Sequence, residues 1–402
     1  MLILLNAQIS VGADHRPFTN AEIVKIIAKI KEKNFELKDL YDREDAELLP
    51  IFFDSKIIGE KERGFVERLN ALIQRQGSMA FDLMELKRWG IQILTIFDDN
   101  YPEVFIKYLG NRAPVLLYYS GNLGLIKGDF IGFSGSRLKK SNSQDEELTR
   151  AWARSALKNN FGIISGGATG IDTFATQEAI YQKGRFIEFL SDSMIKRIQI
   201  NQISKAIQDD RGLLLSEVKP DASFNVGMAM ARNKYIYLLA KKVIIIKAEY
   251  TIKNKKKTGG TWNGAIENIN STYIKLLVVD NKKSKGNQDL IELGATSITN
   301  PEDSKSCDLI FSDAIMIQPK ETKSADLDIK MIDILKQKNT LKLVKLTKKE
   351  LDKLAIIEDA ISKVNDSFEE LILDKKLYNK IYKYCYDAAT NKPKWEQLSL
   401  LE

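Results

Sequence analysis

The chain has 402 residues, of which 44% are hydrophobic and 29% charged, a size and balance that predict two or three globular domains and argue against a disordered or fibrous protein. Lys and Arg number 61 against 54 Asp and Glu, a formal net charge of +7. Eleven lysines and three acids between Lys241 and Lys285 make a local +8, so one segment carries the whole excess and points to an anionic partner at one place.

In chain order, the first 88 residues carry helical periodicity. Ile23, Ile26, Ile27 and Ile30 fall at i, i+3, i+4, i+7 behind a Thr19 or Asn20 cap. Phe65, Leu69, Leu72 and Ile73 repeat the pattern, and Met79 to Trp89 predicts another helix. A helical module over 1–88, packing or docking without chemistry, is expected.

From Gly90 the pattern changes to short apolar runs: IQILTIF, APVLLYYSG, FIGFSGS, FGIISGG, RFIEFLS, GLLLSE, KVIIIKA and IKLLVVD. Helix-length segments separate the later ones, namely Asp145–Asn159, Asp172–Gln182, Met194–Gln208 and Gly227–Ala240. Strands apolar throughout and alternating with helices predict an α/β fold, a doubly wound and mostly parallel sheet covered on both faces. It is assigned to residues 89–318, lead-in included. Residues 319–402 read as a helical C-terminal region, nearly neutral in charge.

Chemistry is narrowed by what is scarce. With one histidine and two cysteines, and no CxxC or Cys/His ligand spacing, a disulfide framework, a zinc site and a Ser-His-Asp triad are disfavoured. The MLILLNAQIS start has no basic n-region, and Lys241 with Lys242 breaks the run from Tyr235 to Ala248 far short of the ~20 apolar residues of a membrane span. A cytoplasmic chain in a reducing compartment follows as the expectation, with no membrane partner and no metal or cofactor.

Four segments fit anion binding. Gly135-Ser136-Arg137 ends one strand, where glycine clears the turn and a forked guanidinium suits phosphate. Ser165-Gly166-Gly167-Ala168-Thr169-Gly170-Ile171-Asp172 ends the next, with glycines that leave amides open at a helix start. Arg232-Asn233-Lys234 precedes a later strand. Lys255-Lys256-Lys257, a secondary contact, leads into Thr258-Gly259-Gly260-Thr261 at another helix start. No Lys-Ser/Thr follows the glycines, and no clean GxGxxG is present, so neither a Walker nor a dinucleotide site is indicated. Tyr235 and Tyr237 are placed either to stack on bases or to pack in the core, and core packing is expected.

Taken in order, these segments resemble the DprA/Smf family of DNA-processing proteins. The resemblance adds Ser216-Glu217-Val218-Lys219-Pro220, Gly264-Ala265, and Asn287 through Gly294-Ala295, and it covers about residues 88–300. It implies a Rossmann-like domain that binds single-stranded DNA, acts as a homodimer, and hands the strand to the RecA recombinase without being an enzyme. By position it assigns DNA contact to Arg137, Arg232 and Lys234. Departures mark the chain as divergent: Ala175-Thr176 stands for the family's A-H, Asp280-Asn281 for its P-G, and no winged helix is legible at the C-terminus.

Two alternatives stay open. The same superfamily includes nucleotide-binding sensors and LOG-type nucleotide hydrolases, some fitting a role in phage defence, and Thr258-Gly259-Gly260-Thr261 echoes their signature. Asp172 and Glu217 would be its acid and base, although Asp172 is more simply a first-turn carboxylate. Finally, Gln397-Leu398-Ser399-Leu400-Leu401-Glu402 resembles the peptide with which bacterial repair proteins dock on the DNA sliding clamp, with Gln397, Leu398, Leu400 and Leu401 as anchors.

Overall fold

A computed structural model describes residues 2–7, 15–41, 43–53, 60–135, 137, 143–253 and 256–312. The expected helical C-terminal region and the terminal peptide lie outside these residues. Helices α1 (Leu2–Asn6), α2 (Asn20–Glu32), α3 (Asp45–Phe52), α4 (Glu60–Gln74) and α5 (Gln76–Arg88) precede the sheet. Thr19 caps α2 through a capping box: its hydroxyl accepts from the Glu22 amide, and the Glu22 carboxylate accepts from the Thr19 amide at 2.7 Å. Behind this cap, Ile23, Ile26, Ile27 and Ile30 are buried as their spacing requires. Arg68 on α4 then clasps the Glu22 carboxylate at 2.9 Å and covers the Phe18 ring at 3.9 Å from its centroid. Burial pushes the Glu22 carboxyl up, but the hydrogen bonds from Arg68 and Thr19 outweigh it and hold the group at about 2.

A nine-stranded sheet follows. Its strands are β1 (Gln92–Thr95), β2 (Leu116–Gly121), β3 (Phe130–Gly135), β4 (Gly162–Ser165), β5 (Phe186–Leu190), β6 (Gly212–Ser216), β7 (Lys242–Lys247), β10 (Leu276–Val279) and β11 (Thr296–Ile298). The spatial order is β1-β2-β6-β5-β4-β3-β7-β10-β11. From β6 to β11 every pairing is parallel; β2 joins β6, and β1 joins β2, antiparallel. Each central strand is buried along its length because both faces are covered. Leu213 and Leu215 enter one core with Val243 and Ile245, while Leu214, Ile244 and Ile246 enter the other. The sheet is thus doubly wound and mostly parallel, as the apolar runs require.

The first core holds α2, α3, α4 and most of α1 together with α6 (Glu103–Leu109), α11 (Val226–Leu239) and α12 (Gly260–Ser271), while Met79 and Leu86 of α5 enter the second. The second lies under α7 (Ser143–Lys158), α8 (Ile171–Tyr181) and α10 (Asn201–Gln208). Between β5 and β6 the one expected helix is two, α9 (Met194–Ile198) and α10, with the Ile200 backbone extended between them. The break accompanies a turn of Arg197 toward the fully buried Glu188, whose Oε2 it meets at 2.6 Å. After β7, a two-stranded hairpin of β8 (Thr251–Lys253) and β9 (Lys256–Thr258) occupies the lysine-rich stretch. Then α13 (Lys285–Glu292) precedes β11, and α14 (Ser304–Phe311) follows it. No described helix is long and apolar enough to cross a membrane.

Candidate nucleic-acid interface

The chain winds outward from β3 in both directions: β4, β5 and β6 lie on one side, β7, β10 and β11 on the other. Such a reversal opens a crevice at the carboxyl ends of the strands, the place where α/β sheets bind ligands. Gly135 and Arg137, the turn after β4, and the approach to the β8–β9 hairpin all sit at this edge, since Gly135 pairs with Lys247.

The turn after β4 is closed on itself. Gly167 and Gly170 adopt φ of +65 and +96, as glycines can. Asp172, in the first turn of α8, accepts the amides of Gly166 at 3.0 Å and Ala168 at 3.4 Å. The Gly167 amide donates to the Ser165 hydroxyl at 3.4 Å, and that hydroxyl also bonds Thr176. The amides expected to face phosphate are therefore held within the turn itself. Arg232 lies against it: a Cβ on Gly166 would collide with the guanidinium. Arg232 is 4% exposed and pairs with Asp172 at 3.7 Å, yet its Nε and Nη1 have no hydrogen-bond partner among the described residues. Burial pushes the Asp172 carboxyl up against the pull of Arg232 and the two amides, and pushes Arg232 down. Asp172 is thus a brace for the turn, as its first-turn position suggested.

Arg137 behaves differently. It is exposed, and its guanidinium stands 4.0 Å from the centroid of the Phe224 ring, itself 45% exposed. Its charge also reaches Arg232, helping to depress that group after burial and against the Asp172 attraction. Asn233 turns instead to α12, donating to the Gly260 carbonyl at 3.1 Å and packing on Gly264. Lys234 is half-buried, with Nζ 5.0 Å from the Tyr235 ring centroid. Tyr235 and Tyr237 are each 1% exposed and belong to the core; Tyr235 stacks on Phe189 and donates to Glu217 at 2.6 Å. Burial pushes the Glu217 carboxyl up, opposed by that hydrogen bond and by Lys234.

The lysine-rich stretch is less free than its charge suggests. Lys257 donates to Asp289 at 2.6 Å and sits over the rings of Tyr250 and Trp262, at 4.7 and 4.9 Å. Lys241 pairs with Asp129, Lys247 with Asp145 and Glu249, and Lys282 with Asp280. Lys242 is buried and donates to the carbonyls of Ile310 and Ser312, closing the end of α14. Lys256 lies in β9, while Ser136 and Lys255 fall outside the described residues, as do Gln397, Leu398, Leu400 and Leu401. Gly259 passes against the Glu249 carbonyl, Gly260 opens α12 with nothing within 4 Å of a would-be Cβ, and Thr261 is buried. Among the described residues no three His, Cys, Asp or Glu gather as metal ligands.

Other motif positions resolve into packing. Asn287, fully buried, donates to the carbonyls of Ile246 and Val279 and accepts the Ala248 amide, tying β7 to β10. Gly286 beside it leaves room for the Ala248 carbonyl. The residue that sequence reasoning passed over is Phe224, a lone aromatic in the polar loop DASFN.

Comparison with known proteins identifies the family. The model of the family described as DNA recombination-mediator protein A matches residues 92–307. DNA processing protein DprA of Streptococcus pneumoniae is 30% identical over 220 residues, 52% of this chain and 71% of that protein. Protein Smf of Synechocystis is 30% identical over 202 residues, 48% of this chain and 49% of that one. The X-ray structure of the S. pneumoniae protein superposes with a TM-score of 0.53 at 23% identity, covering 72% of this chain and 93% of that one, and so shares the fold. With the family model spanning more than half of its length, the chain belongs to the DNA recombination-mediator protein A family, that is, DprA/Smf.

Proposed function

We propose that this DNA-processing protein binds single-stranded DNA across the carboxyl edge of β3 and β7, without catalysing a reaction on it. The observation that carries the reading is the meeting of two arginines at the strand-order reversal. Arg137 is exposed, and Arg232 beneath it has two nitrogens, Nε and Nη1, without a hydrogen-bond partner among the described residues. Like charges so placed gain from an anion between or above them, and a phosphate backbone supplies one at each nucleotide. In this reading Arg137 contacts phosphate directly, Lys234 widens the cationic edge, and Arg232 holds the turn. Onward partners belong to the same proposal: a second copy of the chain, a RecA-type recombinase, and a sliding clamp engaged through Gln397–Leu401. So does the division into 1–88, 89–318 and 319–402, and a place in recombination, transformation or defence within the cytoplasm.

The test is binding of fluorescent oligo-dT, duplex DNA and mononucleotides across a salt series. The proposal expects tight oligo-dT binding whose logarithm falls with log salt by about 0.7 per phosphate contact, and weaker duplex binding. The nucleotide reading would use the open start of α12 at Gly260. Saturable mononucleotide binding with little affinity for the strand would replace the proposal with that reading.

A further inference from the structure

A single strand offers two things to a protein, phosphates and flat base faces, and non-specific sites answer both with cations and aromatic rings. The cationic half of this edge is Arg137. Its neighbour Phe224 is the ring, set between β6 and α11, with Val226 at 59% and Met228 at 47% exposure following it. An aromatic ring and two aliphatic side chains left in water beside a charged turn mark a surface that is covered in use.

The arrangement holds a built-in competition. One face of the Phe224 ring carries the Arg137 guanidinium, 4.0 Å from the centroid. A guanidinium and a nucleobase are both flat, and a ring face takes one of them at a time. An exposed cation–π contact is weaker than a base–aromatic stack, so the exchange runs downhill when a base arrives.

We propose that Phe224 and Arg137 form an exchange latch that selects single strands. This rests on the strand-binding reading above and adds its selectivity. In the free protein the ring holds the guanidinium. A base displaces it by stacking on Phe224, and the released guanidinium turns to a phosphate of the same strand. Duplex bases are stacked on one another and cannot make the exchange, and a bare phosphate chain has nothing flat to make it with. Accessible bases alone earn both contacts.

The experiment measures binding of oligo-dT, an abasic oligonucleotide of equal length, and duplex DNA at one salt concentration. The full chain is compared with Phe224→Leu, Phe224→Trp and Arg137→Ala; both side chains are exposed, and equal thermal midpoints verify folding. The parent is expected to prefer oligo-dT over the abasic strand by about tenfold. Phe224→Leu is expected to abolish that preference from both sides, weakening oligo-dT about fivefold while strengthening the abasic strand about twofold, because Arg137 is no longer held. Phe224→Trp keeps the preference, and Arg137→Ala weakens both strands. An unchanged preference in Phe224→Leu overturns the stacking, and an abasic affinity that fails to rise overturns the latch. A parent chain that binds no oligo-dT overturns the strand-binding reading itself, and the latch with it.

Discussion

β3 and β4 lie side by side and parallel, a glycine stands at the carboxyl end of each, Gly135 and Gly166, and each is followed by a helix. After β4, the Asp172 carboxylate takes the Gly166 and Ala168 amides and Arg232 packs against Gly166. After β3, Arg137 stands exposed over Phe224. A glycine-rich strand–helix turn is therefore not an anion site by composition alone. A carboxylate in the first turn of the helix satisfies the amides from within and converts the cradle into a support.

The contrast makes the two turns respond oppositely to substitution. Asp172→Ala strands a buried guanidinium and two amides, and is expected to cost about 3–5 kcal/mol of stability, whereas Arg137→Ala stays within about 0.5 kcal/mol. Denaturant unfolding of the two variants measures both, and similar losses would erase the distinction. Glycines divide the same way. Gly166→Ala drives a methyl into Arg232 and should cost about 1–3 kcal/mol. Gly260→Ala meets open space at the start of α12 and should gain about 0.4–1 kcal/mol.

Away from both turns, the Glu22–Arg68 clasp offers a titratable control on stability. The fold lowers the Glu22 carboxyl from 4.5 to about 2, so it favours the ionised form. That contribution is complete above about pH 4.5 and fades as the pH falls toward 2. Arg68→Met should flatten this part of the stability–pH curve, and an unaltered curve would contradict the assignment. The smallest effect is expected at Lys257, already bound to Asp289. Lys257→Met should leave the salt slope of strand binding within about 0.2 of the parent, well below the ~0.7 of a phosphate contact.

Much of this architecture is legible from residue patterns. Fully apolar runs such as VIII and GLLLS announce buried parallel strands, and Ile23 to Ile30 announces α2. The hairpin of β8 and β9 is not legible, because the short TIK and KKT runs have no apolar alternation to betray a strand. The division of α9 from α10 has no glycine or proline to signal it. In the site, Arg137 and the glycine turns are found by type and order. What sequence misses is direction: Arg232 and Asn233 are adjacent, yet helix geometry turns one to Gly166 and the other to α12. Lysine density misleads in the same way, since the acids that neutralise Lys241, Lys247 and Lys257 include Asp129, Asp145 and Asp289 from outside the counted segment.

Whether exposed Arg137, just past β3, meets the phosphate backbone is decided by the salt dependence of oligo-dT binding in the parent and in Arg137→Ala. Loss of the guanidinium is expected to lower the affinity about tenfold and to make the slope shallower by about 0.7. An unchanged affinity with an unchanged slope would contradict that contact.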